Sequence, residues 1–220
     1  TAYRRQRQMC IRDRDFTGGE PFMIKQHFTL LEKIVKMDKA KDISIHYNSN
    51  ATQLPLHALK NIWPHFKYVD VHFSIDGLNK HFEYQRHPAK WDEAVSNMSV
   101  FKEYNSSKFD LRICHTVDIF NVYYLPEFLD WANEFGISVY LNNLHEPKYY
   151  NVSTIPYSAK IKIREKLYNY KKRNLESVIS FMMNTNTQES FGDFEKHTTR
   201  TDLVRHESFE NTFPELVSLY

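Results

Sequence analysis

The sequence predicts an α/β fold, a partial (β/α) barrel followed by a helical C-terminal extension. Three observations predict it. From residue 15 onward, stretches with the 3.6-residue apolar period of a half-buried helix alternate with stretches of the 2-residue period of a strand. The connections are short and each strand-helix repeat takes about 30 residues, which suits parallel strands with crossover helices. Four successive strands also gather their polar residues on one face. A doubly wound sheet is covered by helices on both sides and calls for strands apolar throughout, whereas a barrel accommodates a polar, ligand-filled or wet lumen. A hydrogen-bonded polar network inside the barrel is the alternative use of that face.

The elements follow in order. Phe22, Ile24, Phe28, Leu31, Ile34 and Val35 share a helical face, and residues 43–48 alternate as a strand. Residues 56–66 read as helix, 69–76 as strand, 91–104 as helix and 109–117 as strand. Residues 124–135 form the next helix, which Gly136 stops, and 137–143 form the next strand. In these strands Ile43, Ile45 and Tyr47 oppose Ser44, His46 and Asn48, while Val69, Val71, Phe73 and Ile75 oppose Asp70, His72, Ser74 and Asp76. Leu111, Ile113, His115 and Val117 oppose Asp110, Arg112, Cys114 and Thr116, and Val139 and Leu141 oppose Ser138, Tyr140 and Asn142. His46, His72, Ser74 and Arg112 should therefore share one concave face, with Ile45, Val71 and Ile113 under the outer helices. Further on, residues 158–181 read as one long helix, 184–188 as a polar loop, and 199–220 as a mixed tail in which Phe209, Phe213, Leu216 and Leu219 can pack.

Composition excludes several classes. With 41% hydrophobic and 25% charged residues the chain is neither disordered nor fibrous. No apolar run approaches the roughly 20 residues of a membrane helix. Two cysteines, Cys10 and Cys114, cannot build a disulfide framework, so a reducing cytoplasm is the expected compartment. Residues 1–14 hold five arginines against Asp13, which leaves the rest of a chain of net charge +2 with −2. Without a basic stripe across the folded part, nucleic acid is not an expected partner. The leader has no period and no cap and resembles translated sequencing-adapter read-through, so it is expected to be artefactual or disordered, with a solvated basic arm as the alternative. The organisation expected is a leader at 1–14, a partial barrel at 15–150 and a helical extension at 151–220.

Sites in such folds lie where strands end and loops begin. Thr17-Gly18-Gly19-Glu20-Pro21 lets backbone approach a ligand beside a carboxylate. Two further loops are Tyr47-Asn48-Ser49-Asn50-Ala51-Thr52 and Ser74-Ile75-Asp76-Gly77, the latter followed by Glu83-Tyr84-Gln85-Arg86 and Trp91-Asp92. Taken in this order and at these distances, the set resembles the radical S-adenosylmethionine superfamily, and most closely its twitch-domain-containing proteins. His145-Glu146-Pro147-Lys148-Tyr149-Tyr150 and the segment 205–216 are similar in style, so the likeness runs from about residue 15 to the end. The resemblance implies that Gly18, Gly19, Glu20 and Pro21 grip the cofactor's methionine ammonium, that Asn50, Ser74 and Asp76 lie near its ribose and methionyl groups, and that Arg86 meets its carboxylate. Turn formation is the structural alternative for Asn50 and Asp76, and an ion pair with Glu83 is the alternative for Arg86.

One departure from the family weighs as much as the likeness. The family's CxxxCxxC loop, which binds a four-iron four-sulfur (4Fe-4S) cluster, is missing, so no metal ligand is assigned in this chain. The resemblance then implies an N-terminally truncated enzyme, inactive alone, lacking its first βα repeat and carrying a twitch-like extension without metal. Its intact form would cleave S-adenosylmethionine reductively to a 5′-deoxyadenosyl radical, with flavodoxin or ferredoxin as electron donor and an unknown substrate, by analogy a peptide or protein. Two other classes stay open. His46 and His72, with Cys114 and the carboxylates of Asp70, Asp76 and Asp110, could serve a mononuclear zinc or iron hydrolase. The polar lumen alone could serve a noncatalytic small-molecule-binding barrel.

Overall fold

Alternating apolar residues build a parallel sheet whose strands follow chain order. The structure, a computed structural model, describes residues 13–16, 19–185 and 187–220. The expected leader as far as residue 12, with Cys10, lies outside the described residues. β1 (Asp13–Phe16), β2 (Ser44–Ser49), β3 (Tyr68–Phe73) and β4 (Phe109–Val117) pair in parallel, each with the next. β1 starts two residues before the expected boundary at 15 and sets Asp13 beside Ser44. β5 (Ser138–Asn143) comes after β4 in the strand order. The helices are α1 (Lys25–Lys36), α2 (Leu56–Asn61), α3 (Asn79–Gln85), α4 (Trp91–Glu103), α5 (Leu125–Phe135), α6 (Tyr157–Asn169), α7 (Glu176–Asn184), α8 (Phe191–Arg205), α9 (Phe209–Thr212) and α10 (Pro214–Leu219).

The chain divides into two compact units. The first comprises Thr1–Ser74 and Ala89–Cys114, and the second Ile75–Pro88 and His115–Tyr220. In the first unit β2 and β3 alternate between buried and half-buried residues, as the sequence pattern requires. Ile45, Val71 and Ile113 are buried, while His46, Asp70 and His72 share the half-buried face. The buried side builds an aromatic core in which Phe22, Tyr47, Trp63, Phe101 and Phe109 pack ring on ring at centroid separations of 5.1–6.4 Å. Rings of this size each bury a large apolar area. The expected helix at 56–66 is split because Pro64 has no N–H to give: α2 ends at Asn61 and a 3-10 turn, Trp63–His65, follows.

In the second unit Phe82, Val117, Val122, Leu125, Ile163, Phe213 and Leu216 are buried. α5 ends as foreseen at Gly136, whose φ of 72° lies in the left-handed region. The single helix expected over 158–181 does not form. α6 ends where Tyr170 turns extended, and α7 starts afresh after Asn174, whose Oδ1 accepts the Glu176 N–H at 2.8 Å. Lys171, Lys172 and Arg173 fill the break, where Lys172 pairs with Asp130 at 2.8 Å and Arg173 donates to the Val139 carbonyl at 3.0 Å. The expected mixed tail is instead three helices. His206, with a φ of 55°, terminates α8, and the Ser208 side chain caps α9. Among the described residues no helix is long and apolar enough to cross a membrane.

Candidate functional site

In the first unit, the turn after β1 is tied to the C-terminal end of β2 by one carboxylate. Glu20 caps the 3-10 turn Pro21–Met23 by accepting the Phe22 N–H at 3.3 Å. Its Oε1 and Oε2 also accept from the Ser49 hydroxyl, at 3.0 and 3.1 Å, and Oε2 accepts the Asn50 N–H at 2.8 Å. Burial raises the Glu20 pKa although these donors oppose it. Asn50 closes a turn of its own, its Oδ1 taking the Thr52 N–H at 3.0 Å and the Thr52 hydroxyl at 2.6 Å. Gly19 stands in the left-handed region at a φ of 64°, and a Cβ built there would meet nothing within 4 Å among the described residues. Backbone at this turn is therefore open to a ligand, while the Glu20 side chain is spent on protein donors.

In the second unit, Asp76 and Arg86 form an ion pair, with the Asp76 side chain only 8% exposed. Asp76 Oδ1 accepts the Thr116 N–H at 2.7 Å, so the carboxylate is held from two sides. Gln85 fixes the approach by donating to the backbone oxygens of Asp76 and His81, each at 3.0 Å. Arg86 Nε is buried without a hydrogen-bond partner. A cavity of about 340 Å³ opens here, bordered by Asp76, Arg86, Thr116, Asp118, Tyr150 and Arg205. Burial first, and the nearby Asp76 charge second, push the Asp118 carboxyl well above the usual carboxylate range. The pocket thus offers guanidinium groups for an anion beside a carboxyl whose pKa burial raises.

The polar face of β2 and β3 gathers a third group, again within the first unit. His46 Nδ1 and His72 Nε2 each lie 3.1 Å from Asp70 Oδ2. The Asn48 amide stands 3.3 Å from His46 Nε2. Burial opposes the Asp70 charge, but the two imidazoles together hold its carboxyl well below the usual range. Arg112 is engaged with Asp110 through Nε at 2.8 Å. His115, in the second unit, is buried with Nδ1 2.9 Å from the Ile75 carbonyl oxygen.

Of the residues singled out from the sequence, Cys10, Thr17 and Gly18 lie outside the described residues. Gly19, Glu20, Pro21 and Asn50 sit together at the end of β2. Ser74, just beyond β3, gives its backbone N–H to the Ser49 carbonyl at 2.8 Å. Asp76 and Arg86 meet each other. Sequence reasoning missed Ser49, which holds Glu20, and Asp118, whose signal was its position immediately after a strand's C-terminal end.

No protein-family profile matches the chain, and no curated protein matches its sequence. Solved structures do match. His-tagged anSMEcpe with bound AdoMet aligns at a TM-score of 0.53 and 15% identity, over 80% of this chain and 51% of that one. Native anSMEcpe with bound AdoMet aligns at 0.53 and 19%, over 79% and 48%, and anSMEcpe with AdoMet and the Cp18Cys peptide at 0.51 and 20%, over 70% and 44%. The chain spans about half the length of these structures or less. Its α/β fold with a parallel sheet is therefore similar to that of the radical S-adenosylmethionine enzyme anSMEcpe.

Proposed function

We propose that this chain is an S-adenosylmethionine-binding domain of the radical S-adenosylmethionine type. The observation that carries the reading is the Gly19-Glu20-Pro21 turn, open at its backbone and clamped by Ser49 and Asn50, at the strand edge of a fold shared with AdoMet-bound anSMEcpe. Because Glu20 is spent on protein donors, its part is to position the turn, and the backbone of residues 18–21 meets the methionyl ammonium. In the second unit Arg86 offers Nε and the rest of its fork to a carboxylate, and Asp76 orients that fork. Asn50 and Ser74 remain assigned to the ribose side.

Bound beside an iron-sulfur cluster, this cofactor supplies a radical for hydrogen abstraction. The three-cysteine set for such a cluster does not fit this chain, whose cysteines are Cys10 and Cys114, and its residues are assigned no radical step. The twitch-like character of residues 151–220 and an electron donor such as flavodoxin or ferredoxin rest on the sequence resemblance. A peptide or protein substrate draws support also from the peptide held by anSMEcpe.

Calorimetric titration with S-adenosylmethionine tests the reading. One saturable site, competed by S-adenosylhomocysteine, is expected. Absence of binding at millimolar ligand, with the fold intact by circular dichroism, would overturn it.

A further inference from the structure

We propose that His46, Asp70 and His72 form a binding site for a divalent first-row transition-metal ion of the zinc class. One donor atom from each lies within 4.8 Å of the others. Two of the three separations, His46 Nδ1 to Asp70 Oδ2 and His72 Nε2 to Asp70 Oδ2, are 3.1 Å. Around a tetrahedral zinc with bonds of about 2.0–2.1 Å, neighbouring ligand atoms stand roughly 3.3 Å apart. The donors already hold most of that spacing.

A settled hydrogen-bond network would leave fewer loose ends. Among the described residues, His72 Nε2 comes within reach of the carboxylate but makes no aligned hydrogen bond, and Asp70 Oδ1 has no partner. Both are buried atoms, which such groups rarely leave unsatisfied. An ion bonded to Nε2 would satisfy that nitrogen, and one held by both carboxylate oxygens would engage Oδ1 as well. The strands explain how the three meet: His46 pairs with Asp70 in the β2–β3 register, and His72 follows two residues later on the same face. Arg112, set beside His72 across the β3–β4 register, would repel a cation, but its charge is matched by Asp110 at 2.8 Å.

Donor chemistry selects the ion. Two imidazoles with one carboxylate suit zinc or ferrous iron and are poor for magnesium or calcium, which take oxygen ligands. Three protein ligands leave a position for water or another small ligand. The side chains of His46, Asp70 and His72 are 27%, 20% and 22% exposed, so an ion can enter. Asn48, beside His46 Nε2, is placed to orient that ring.

The test is titration of the full chain with zinc by calorimetry, and with cobalt(II) by visible absorption, in wild type and in Asp70→Asn, His72→Gln, His46→Gln and His57→Gln. His57 is an exposed histidine outside the cluster and controls for surface binding. Wild type and His57→Gln should take up one equivalent of either ion. Each cluster variant that keeps its circular dichroism spectrum should bind more weakly by at least the roughly 100-fold upper range for loss of an outer partner. Three variants guard against a single misfolded one. No stoichiometric site in wild type, or equal affinity in the folded cluster variants, would overturn the proposal. Neither readout needs S-adenosylmethionine.

Discussion

The Tyr47 hydroxyl donates a hydrogen bond to His27, whose Nε2 lies 2.8 Å away. Trp63, whose indole N–H can only donate, gives to the same oxygen at 3.2 Å, and the fully buried hydroxyl hydrogen is left for the imidazole nitrogen. His27 must accept, and so must be neutral. Burial agrees, lowering its pKa from 6.5 to about 4.

That chain of donors predicts an acid-sensitive fold. The unfolded state takes up a proton below pH 6.5 and the folded state only near pH 4. Stability from this group is therefore intact above pH 6.5 and falls as pH drops toward 4, by at most about 3 kcal/mol. Urea unfolding at pH 7, 5.5 and 4.5 should show the loss, and His27→Gln, which keeps an acceptor for Tyr47, should flatten it. An unchanged pH slope in the variant would contradict the assignment.

Glu20→Gln puts an amide N–H₂ where the Asn50 and Phe22 N–H groups or the Ser49 hydroxyl need an acceptor. The turn should loosen, with a stability loss of about 1–3 kcal/mol and weaker S-adenosylmethionine binding. Ser49→Ala should act in the same direction but less, because two backbone donors to Glu20 remain. Binding and stability measured on both variants separate a positioning role from none.

Asp76→Asn and Arg86→Lys should be strongly non-additive. Removing the carboxylate leaves a partly buried guanidinium facing an amide, whereas Lys keeps charge without the fork. A double-mutant cycle on urea midpoints should give a coupling of about 0.5–3 kcal/mol.

Gly136→Ala forces a Cβ into the left-handed conformation that ends α5, where the Gly136 N–H bonds the Asn133 carbonyl. The cost should be about 1–2 kcal/mol, visible as a lower melting temperature. Because the position is remote from chemistry, ligand affinity at low temperature should stay unchanged.

Much of the fold was legible because strand and helix periods are local. Residues 109–117 form a strand over the whole expected span, and Gly136 stops its helix where its sequence position says it should. The break at Tyr170 was not legible, since the residues around it have ordinary helix propensity and the contacts that hold it, Lys172 with Asp130 and Arg173 with the Val139 carbonyl, come from distant positions. At the site, the residue types were legible and their partners were not. Glu20 could face a ligand or the protein with the same sequence, and the choice depends on Ser49, 29 positions away. Likewise Arg86 had an acidic neighbour in sequence, Glu83, but the structure pairs it with Asp76, which chain reversal brings back to it.

The division into two units bears on how the gene can be cut. Residues 75–88 belong to the second unit although they interrupt the first, so the chain passes from one to the other at 74/75, 88/89 and 114/115. A stop codon after residue 114 would leave that loop stranded on a fragment that lacks its packing partners, and a start at 115 would deprive the second unit of Phe82, which is fully buried. Neither half can be expressed as a simple terminal deletion. To separate them, residues 75–88 must be replaced by a short linker in one piece and grafted as an added segment onto the other.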